Sequence, residues 1–233
     1  LHLYSIDQKD RAHPHTAGSF EFRTPVFTRN GATVYGLSNK NHPTEWDVFA
    51  LELASGTMRQ VTQLKGVESF ALAPDESALL VRYSSSYVPA QALVINLESG
   101  AVWGATDTRT ETYRNYEWQQ PEYVAVPSHH GAPGPIWSKF YPAASHFEGP
   151  RPVVLFVHGA GYTQNTHYQF PYYFREQMFH NLLTARGYHV LDMDYRASEG
   201  YGRDWRTSIY RHMGTPELED YIDGVRWLVN EHN

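Results

Sequence analysis

The stretch Val153-Val154-Leu155-Phe156-Val157-His158-Gly159-Ala160-Gly161-Tyr162 decides how this chain is read. Five apolar residues in a row, three of them β-branched, run straight into a His-Gly-Ala-Gly turn. Strict alternation would mark a strand with one wet face. A continuous run predicts a strand buried on both faces, of the kind found at the centre of a parallel sheet. Glycine at the carboxyl end of such a strand lets the backbone approach a ligand where a side chain would block it. Fold and candidate chemistry are therefore both expected around residue 158.

Toward the C-terminus, Tyr172 to Arg186 has helical spacing, with Phe174, Met178, Leu182 and Ala185 on one face and Gly187 as the C-terminal cap. His189 to Tyr195 reads as a second strand and Arg203 to His212 as a short helix. A last helix begins at Pro216 with Thr215 as N-cap, and Leu218, Tyr221, Ile222, Val225, Leu228 and Val229 form its apolar stripe. Toward the N-terminus, Glu122–Pro127 and Ile136–Tyr141 read as two strands. Strand, helix, strand, helix in this order predicts an α/β domain with a parallel sheet core and right-handed crossovers.

Residues before about 110 follow a different pattern, of short strands and turns. Pro25 to Tyr35 and Trp46 to Leu53 are followed by Ser55-Gly56; Phe70 to Val81 and Ala92 to Leu97 are followed by Ser99-Gly100. The two Ser-Gly turns lie 44 residues apart, and the turns at Asn30-Gly31 and Asp75-Glu76 about 45. A 40–50-residue period of strands marks β-propeller blades; an all-β sandwich with coincidental spacing is the competing account. Two blades cannot close a ring, and open sheet edges are a liability. The chain also opens Leu1-His2-Leu3-Tyr4-Ser5-Ile6-Asp7, which reads as the middle of a strand, with neither Met nor a leader pattern. An internal piece of a longer protein is the expectation.

Composition narrows the function classes. With 41% hydrophobic and 19% charged residues in 233, a core-forming globular protein is expected. A net charge of −6 leaves no basic surplus to neutralise phosphates, which argues against nucleic acid as a partner. No apolar run reaches the roughly 18 residues of a membrane span. The absence of Cys excludes disulfides, thiol catalysis and Cys-bearing zinc sites. It does not set the compartment, where a periplasmic or secreted location is preferred to a cytoplasmic one.

Three motifs in order, Val157-His158-Gly159-Ala160-Gly161-Tyr162, Asp194-Tyr195-Arg196-Ala197-Ser198-Glu199-Gly200-Tyr201-Gly202 and Gly214-Thr215-Pro216-Glu217-Leu218-Glu219-Asp220, follow the strand-rich repeats. Together they resemble the prolyl oligopeptidase family of serine peptidases, and within it the dipeptidyl-peptidase-IV-like and acylaminoacyl-peptidase-like bacterial branches. The resemblance implies the last two or so blades of a β-propeller over residues 1–115 and the N-terminal half of an α/β-hydrolase domain over 116–233. It implies a Ser-His-Asp peptidase acting on peptides, with no cofactor, whose nucleophile elbow G-x-S-x-G, Asp and His fall after residue 233. This chain alone is then expected to be inactive, and a homo-oligomer stays open. The family's second motif usually carries Gly where Ala197 stands, a change tolerated if the backbone there does not need a positive φ. The rival readings are a carboxylesterase or lipase-like hydrolase, and a non-catalytic propeller-bearing interaction protein.

The candidate site residues follow from the motifs. Under the resemblance the turn is the oxyanion side of the active site, with the backbone N–H of Ala160 as donor, Gly159 beside it and His158 either packing or donating from a neutral ring. Tyr162, Tyr168 and Tyr172, with the aromatics around them, are candidates to wall a substrate pocket, or else core. Arg196 and Asp220 are expected to form an internal ion pair that fixes loops beneath the site. Ser198 is a decoy one residue from G-x-S-x-G: Arg196 stands where the elbow needs Gly. Thirteen histidines, among them His13, His15, His129, His130, His158 and His167, invite a metal reading, but none has H-E-x-x-H spacing and surface or loop roles are preferred. No metal site is expected.

Overall fold

The computed structural model describes residues 1–147, 149–159 and 162–232. It comprises two compact units, Leu1–Tyr116 with His167–Phe170, and Glu117–Thr166 with Pro171–Asn233.

In the first unit the opening residues form a short exposed ribbon, β1 (Tyr4–Ile6) against β2 (Ala12–Pro14), rather than the middle of a strand. Two antiparallel four-stranded meanders follow. β3 (Phe22–Phe27), β4 (Thr33–Ser38), β5 (Asp47–Glu52) and β6 (Thr57–Gln60) pair in chain order, as do β7 (Val67–Leu72), β8 (Ala78–Ser85), β9 (Val88–Asn96) and β10 (Val102–Gly104). The repeat seen in sequence is a repeat of backbone. Gly31 and Glu76 take φ +68° and +63° at the first turn of each sheet, and Gly56 and Gly100 take +70° and +71° at the last. Each left-handed residue also donates to an equivalent carbonyl, Gly31 to Thr28, Glu76 to Ala73, Gly56 to Glu52 and Gly100 to Asn96. Tyr35, Leu37, Trp46 and Val48 of the first sheet and Leu79, Val81 and Ile95 of the second share one core. The segment His167–Phe170 is fastened to this unit: Tyr168 N donates to Thr44 O (3.1 Å) and Phe170 N to Ser84 Oγ (2.9 Å). After the sheets comes the single turn α1 (Glu111–Arg114), capped by Thr110.

The second unit contains β11 (Glu122–Val126), β12 (Ile136–Tyr141), β13 (Val153–Phe156), α2 (Phe174–Thr184), β14 (His189–Met193), α3 (Arg203–Thr207) and α4 (Pro216–Glu231). Its sheet is mixed, in the order β11-β12-β14-β13, with only β13 and β14 parallel. The strand–helix–strand pair β13 and β14 is parallel, as the α/β reading expects, while β11 and β12 add antiparallel strands to that core. The apolar run of β13 is not central: β13 is an edge strand, half-exposed, with β14 its sole strand partner among the described residues. β14 takes the inner place because it pairs on both sides, and Val190, Leu191 and Met193 are buried there.

The helices also depart from their apolar patterns. α2 turns Gln177, His180, Asn181 and Thr184 inward and leaves Phe179 and Leu182 exposed. Hydrogen bonds decide its orientation: Tyr141 Oη donates to Gln177 Oε1 (3.0 Å), and Gln119 N donates to Asn181 Oδ1 (2.7 Å). Gly187, at φ +87°, donates to Thr184 O and ends the helix, the left-handed geometry such a stop needs. α3 is shorter than expected. α4 starts at Pro216, but Thr215 makes no side-chain cap; Glu217 instead reaches back to Gly214 N (2.8 Å). α4 lies close to β14 because Gly224 carries no side chain: a Cβ there would strike the Met193 thioether at 2.5 Å.

Candidate functional site

After β13 the chain turns at His158, whose ring is driven inward while Val157 stays exposed. The imidazole stacks on Tyr195 (centroids 4.6 Å, planes 18° apart), and the Tyr195 hydroxyl donates back to His158 O (2.9 Å). Its Nε2 lies 3.2 Å from Asp194 Oδ1 and 3.3 Å from Ser198 Oγ, and its Nδ1 3.0 Å from Gly159 O. A carboxylate at one nitrogen and a carbonyl at the other are both acceptors, which suits an imidazolium. Burial pushes the His158 pKa down, but the Asp194 hydrogen bond and charge outweigh it and the net direction is up.

Asp194 is the hub of this arrangement. It accepts from Asn165 N (2.8 Å), Thr166 N (3.0 Å) and Tyr201 Oη (2.6 Å) besides His158. Burial raises its pKa, and the surrounding donors reverse that so that it stays below the usual range. Two residues earlier on β14, Asp192 stands opposite Lys139 of β12 and accepts from Asn165 Nδ2 (2.5 Å). Burial pushes Asp192 up to about 6 and pulls the wholly buried Lys139 ammonium down. Neither the Lys139–Asp192 apposition nor the role of Asn165 was visible in the residue pattern. The signal available was the pair Asp192 and Asp194 at and just past the end of the largely apolar β14.

Ser198, His158 and Asp194 touch as a catalytic triad would, but the wiring differs. In a triad the imidazole binds the carboxylate through one nitrogen and the serine through the other. Here both lie on Nε2, which cannot donate to Asp194 and accept the Ser198 proton at once. Ser198 is also 1% exposed, out of reach of a substrate. Ala197, just before it, sits at φ +90°. The position does need a positive φ, so the replacement of Gly by Ala is a strained one.

Arg196 clamps the start of α4. Its main-chain N and Nε donate to Asp220 (2.6 and 2.9 Å), Nη2 donates to Glu219 Oε2 and Pro216 O (both 2.9 Å), and Nη1 donates to His130 O (3.3 Å). Burial raises the Asp220 pKa to about 6 although Arg196 opposes it. From α4, Tyr221 Oη donates to Phe156 O (2.9 Å), tying the helix to the end of β13.

Around the turn, Gly159 N donates to Tyr173 Oη (3.1 Å), a partner the sequence did not suggest. Ala160, the expected oxyanion donor, lies outside the described residues. The three pocket tyrosines have separate surroundings. Tyr162 is exposed beneath the Arg206 guanidinium (5.1 Å), Tyr168 belongs to the first unit with Lys65 over its ring (5.0 Å), and Tyr172 is 84% exposed against Tyr173. Among the described residues no group of three His, Asp or Glu is placed to hold a metal, and no helix is long and apolar enough to cross a membrane.

The model of the prolyl oligopeptidase family matches residues 173–232, from the N-terminus of α2 through α4. That match spans about a quarter of the chain, at its C-terminal end. It is 26% identical over 203 residues to the uncharacterized peptidase YuxL of Bacillus subtilis (strain 168), covering 86% of this chain and 29% of that protein. Over 84 residues it is 30% identical to dipeptidyl aminopeptidase BIII of Pseudoxanthomonas mexicana, covering 36% of this chain and 11% of that one. Among solved structures, dipeptidyl peptidase 4 of Porphyromonas gingivalis superposes with a TM-score of 0.80 at 19% identity, over 97% of this chain and 32% of its own. A puromycin-hydrolyzing peptidase of Mycobacterium tuberculosis gives 0.74 at 18%, over 98% and 36%. Antiparallel four-stranded sheets followed by a mixed sheet with helices thus match part of the fold of both structures. The chain spans about a third or less of the length of these relatives.

Proposed function

We propose that this chain carries the last propeller blades and the first half of the hydrolase domain of a serine peptidase that cleaves peptides. The observation that carries the reading is the His158-Gly159 turn at the carboxyl end of β13, parallel to β14, in a chain whose C-terminal part matches this family's model. On this reading the nucleophile belongs to a part of the protein beyond residue 233. It attacks the peptide carbonyl, a histidine moves the proton, and the turn after β13 supplies the oxyanion side. His158 serves that turn from beneath: bonded to Asp194 and Gly159, it holds the backbone and does not act as base. Removing one oxyanion donor from such sites costs about 2.7–4 kcal/mol of transition-state stabilisation.

The test is hydrolysis of chromogenic dipeptidyl and acylaminoacyl amides by residues 1–233 and by the longer protein. Activity is expected only in the longer protein. Turnover by residues 1–233 that disappears in Ser198→Ala would overturn both the reading and the structural role given to Ser198. Ester hydrolysis without amide hydrolysis would favour the esterase alternative.

A further inference from the structure

Gly159 is exposed, yet its N–H is not free for a substrate, because Tyr173 Oη accepts it at 3.1 Å. Resting on the peptidase reading, we propose that Tyr173 is a positioning residue for the turn after β13. By taking the Gly159 N–H, it fixes the peptide that leads into the oxyanion side and excludes that N–H as an oxyanion donor.

Three observations support this. First, Tyr173 is itself held. Its ring meets Phe156 edge-on (5.4 Å, 69°) and Tyr172 edge-on (5.3 Å, 90°), and its carbonyl accepts from Gln177 N (3.0 Å) at the start of α2. Second, a Cβ on Gly159 would lie 3.2 Å from Tyr173 Oη, so the turn and the phenol are fitted to each other. Gly159 has no positive φ to forbid a side chain, which leaves this approach as the reason for glycine. Third, the turn is gripped from opposite sides: Gly159 O faces His158 Nδ1 (3.0 Å) while Gly159 N faces Tyr173, so both polar atoms of the residue are committed. The Gly159 N–H lies in the peptide plane before its Cα and the carbonyl in the plane after it, so each flanking plane is held by one contact.

Tyr173→Phe keeps the ring and removes the hydroxyl. In residues 1–233, amide exchange at Gly159 is expected to quicken about tenfold, the loss of one hydrogen bond, with the melting temperature unchanged. In the full-length protein, kcat on a chromogenic dipeptidyl amide should fall about 100-fold, the cost of a misplaced reacting group, with KM within about twofold. Gly159→Ala should cost a similar factor alone but little more in the Tyr173→Phe background, where the clash is gone. Unchanged Gly159 exchange in Tyr173→Phe would overturn the proposal, and so would additive effects of the two substitutions on kcat. A full-length wild-type protein without peptidase activity would sink the peptidase reading instead, while the exchange measurement would still decide the role of Tyr173.

Discussion

Ala197 carries a conformational cost that its sequence neighbours conceal. At φ +90° a Cβ crowds the backbone, and left-handed conformations cost an L-residue about 1–2 kcal/mol. Against this, Ala197→Gly loses a buried methyl and widens the unfolded ensemble, each worth roughly 0.4–1 kcal/mol. Ala197→Gly is therefore expected to be neutral or stabilising by up to about 1 kcal/mol, and Ala197→Val destabilising by more than about 2 kcal/mol. Urea midpoints of the two variants check the ordering; a valine variant as stable as wild type would defeat it. The buried acids set a second expectation. Asp192 and Asp220 titrate near 6 in the fold, so between about pH 4 and 6 the folded chain keeps protons that the unfolded chain has released. Stability then falls as pH rises through that window. His158 continues the fall: its raised pKa contributes fully below the unfolded value of about 6.5 and is lost as pH rises through the folded one. Asp194 works in the opposite sense, losing its contribution only as pH drops below about 4. Thermal melts from pH 3 to 9 should peak near pH 4–5, and Asp192→Asn should flatten the decline between pH 4 and 6.

At the scale of elements, the repeat was legible because turns need special backbone. Gly31, Gly56 and Gly100 mark left-handed positions directly, and the spacing between them gives the sheets. The mixed sheet was less legible. An apolar run reports burial on two faces, not strand order, so Val153–Phe156 read as central although its outer edge is open among the described residues. α2 misled for a related reason: periodicity weighs apolar residues only, and the inward face is set by hydrogen bonds to Gln177 and Asn181. The His158–Asp194 contact was unreadable because it joins residues 36 apart through a parallel pair. Gly66 is a further case. It looks like an ordinary loop glycine, yet a Cβ there would fall on the Ser84 carbonyl, and Gly66 bridges Trp46 and accepts from Ser84 N. Gly66→Ala is expected to cost about 3 kcal/mol, since overpacking against backbone cannot relax by rotamer. Gly56→Ala, at φ +70° in open space, should cost about 1 kcal/mol. Denaturant unfolding of both variants tests the contrast, and equal losses would contradict it.

Each unit has its own core, and α4 leaves an apolar face uncovered. Leu218, Ile222, Val225 and Val229 lie at i, i+4, i+7 and i+11 on α4, one stripe, and each is 40–60% exposed. The opposite face, with Asp220, Tyr221, Asp223, Gly224 and Leu228, is the one that packs inward. A soluble surface tolerates scattered apolar residues, whereas a continuous stripe is sticky. The net charge of −6 is too small to suppress association strongly across such a face. Residues 1–233 in isolation are therefore expected to self-associate with concentration and to bind a hydrophobic dye while keeping native secondary structure. Replacing Ile222 and Val229 by Glu should abolish both effects without lowering the melting temperature, because neither side chain supports the core. Sedimentation of wild type and the double variant across a 100-fold concentration range reads this out (about two decades suffice to resolve a micromolar equilibrium). A wild-type chain that stays monomeric throughout would mean that the stripe is covered in solution by packing absent from this fold.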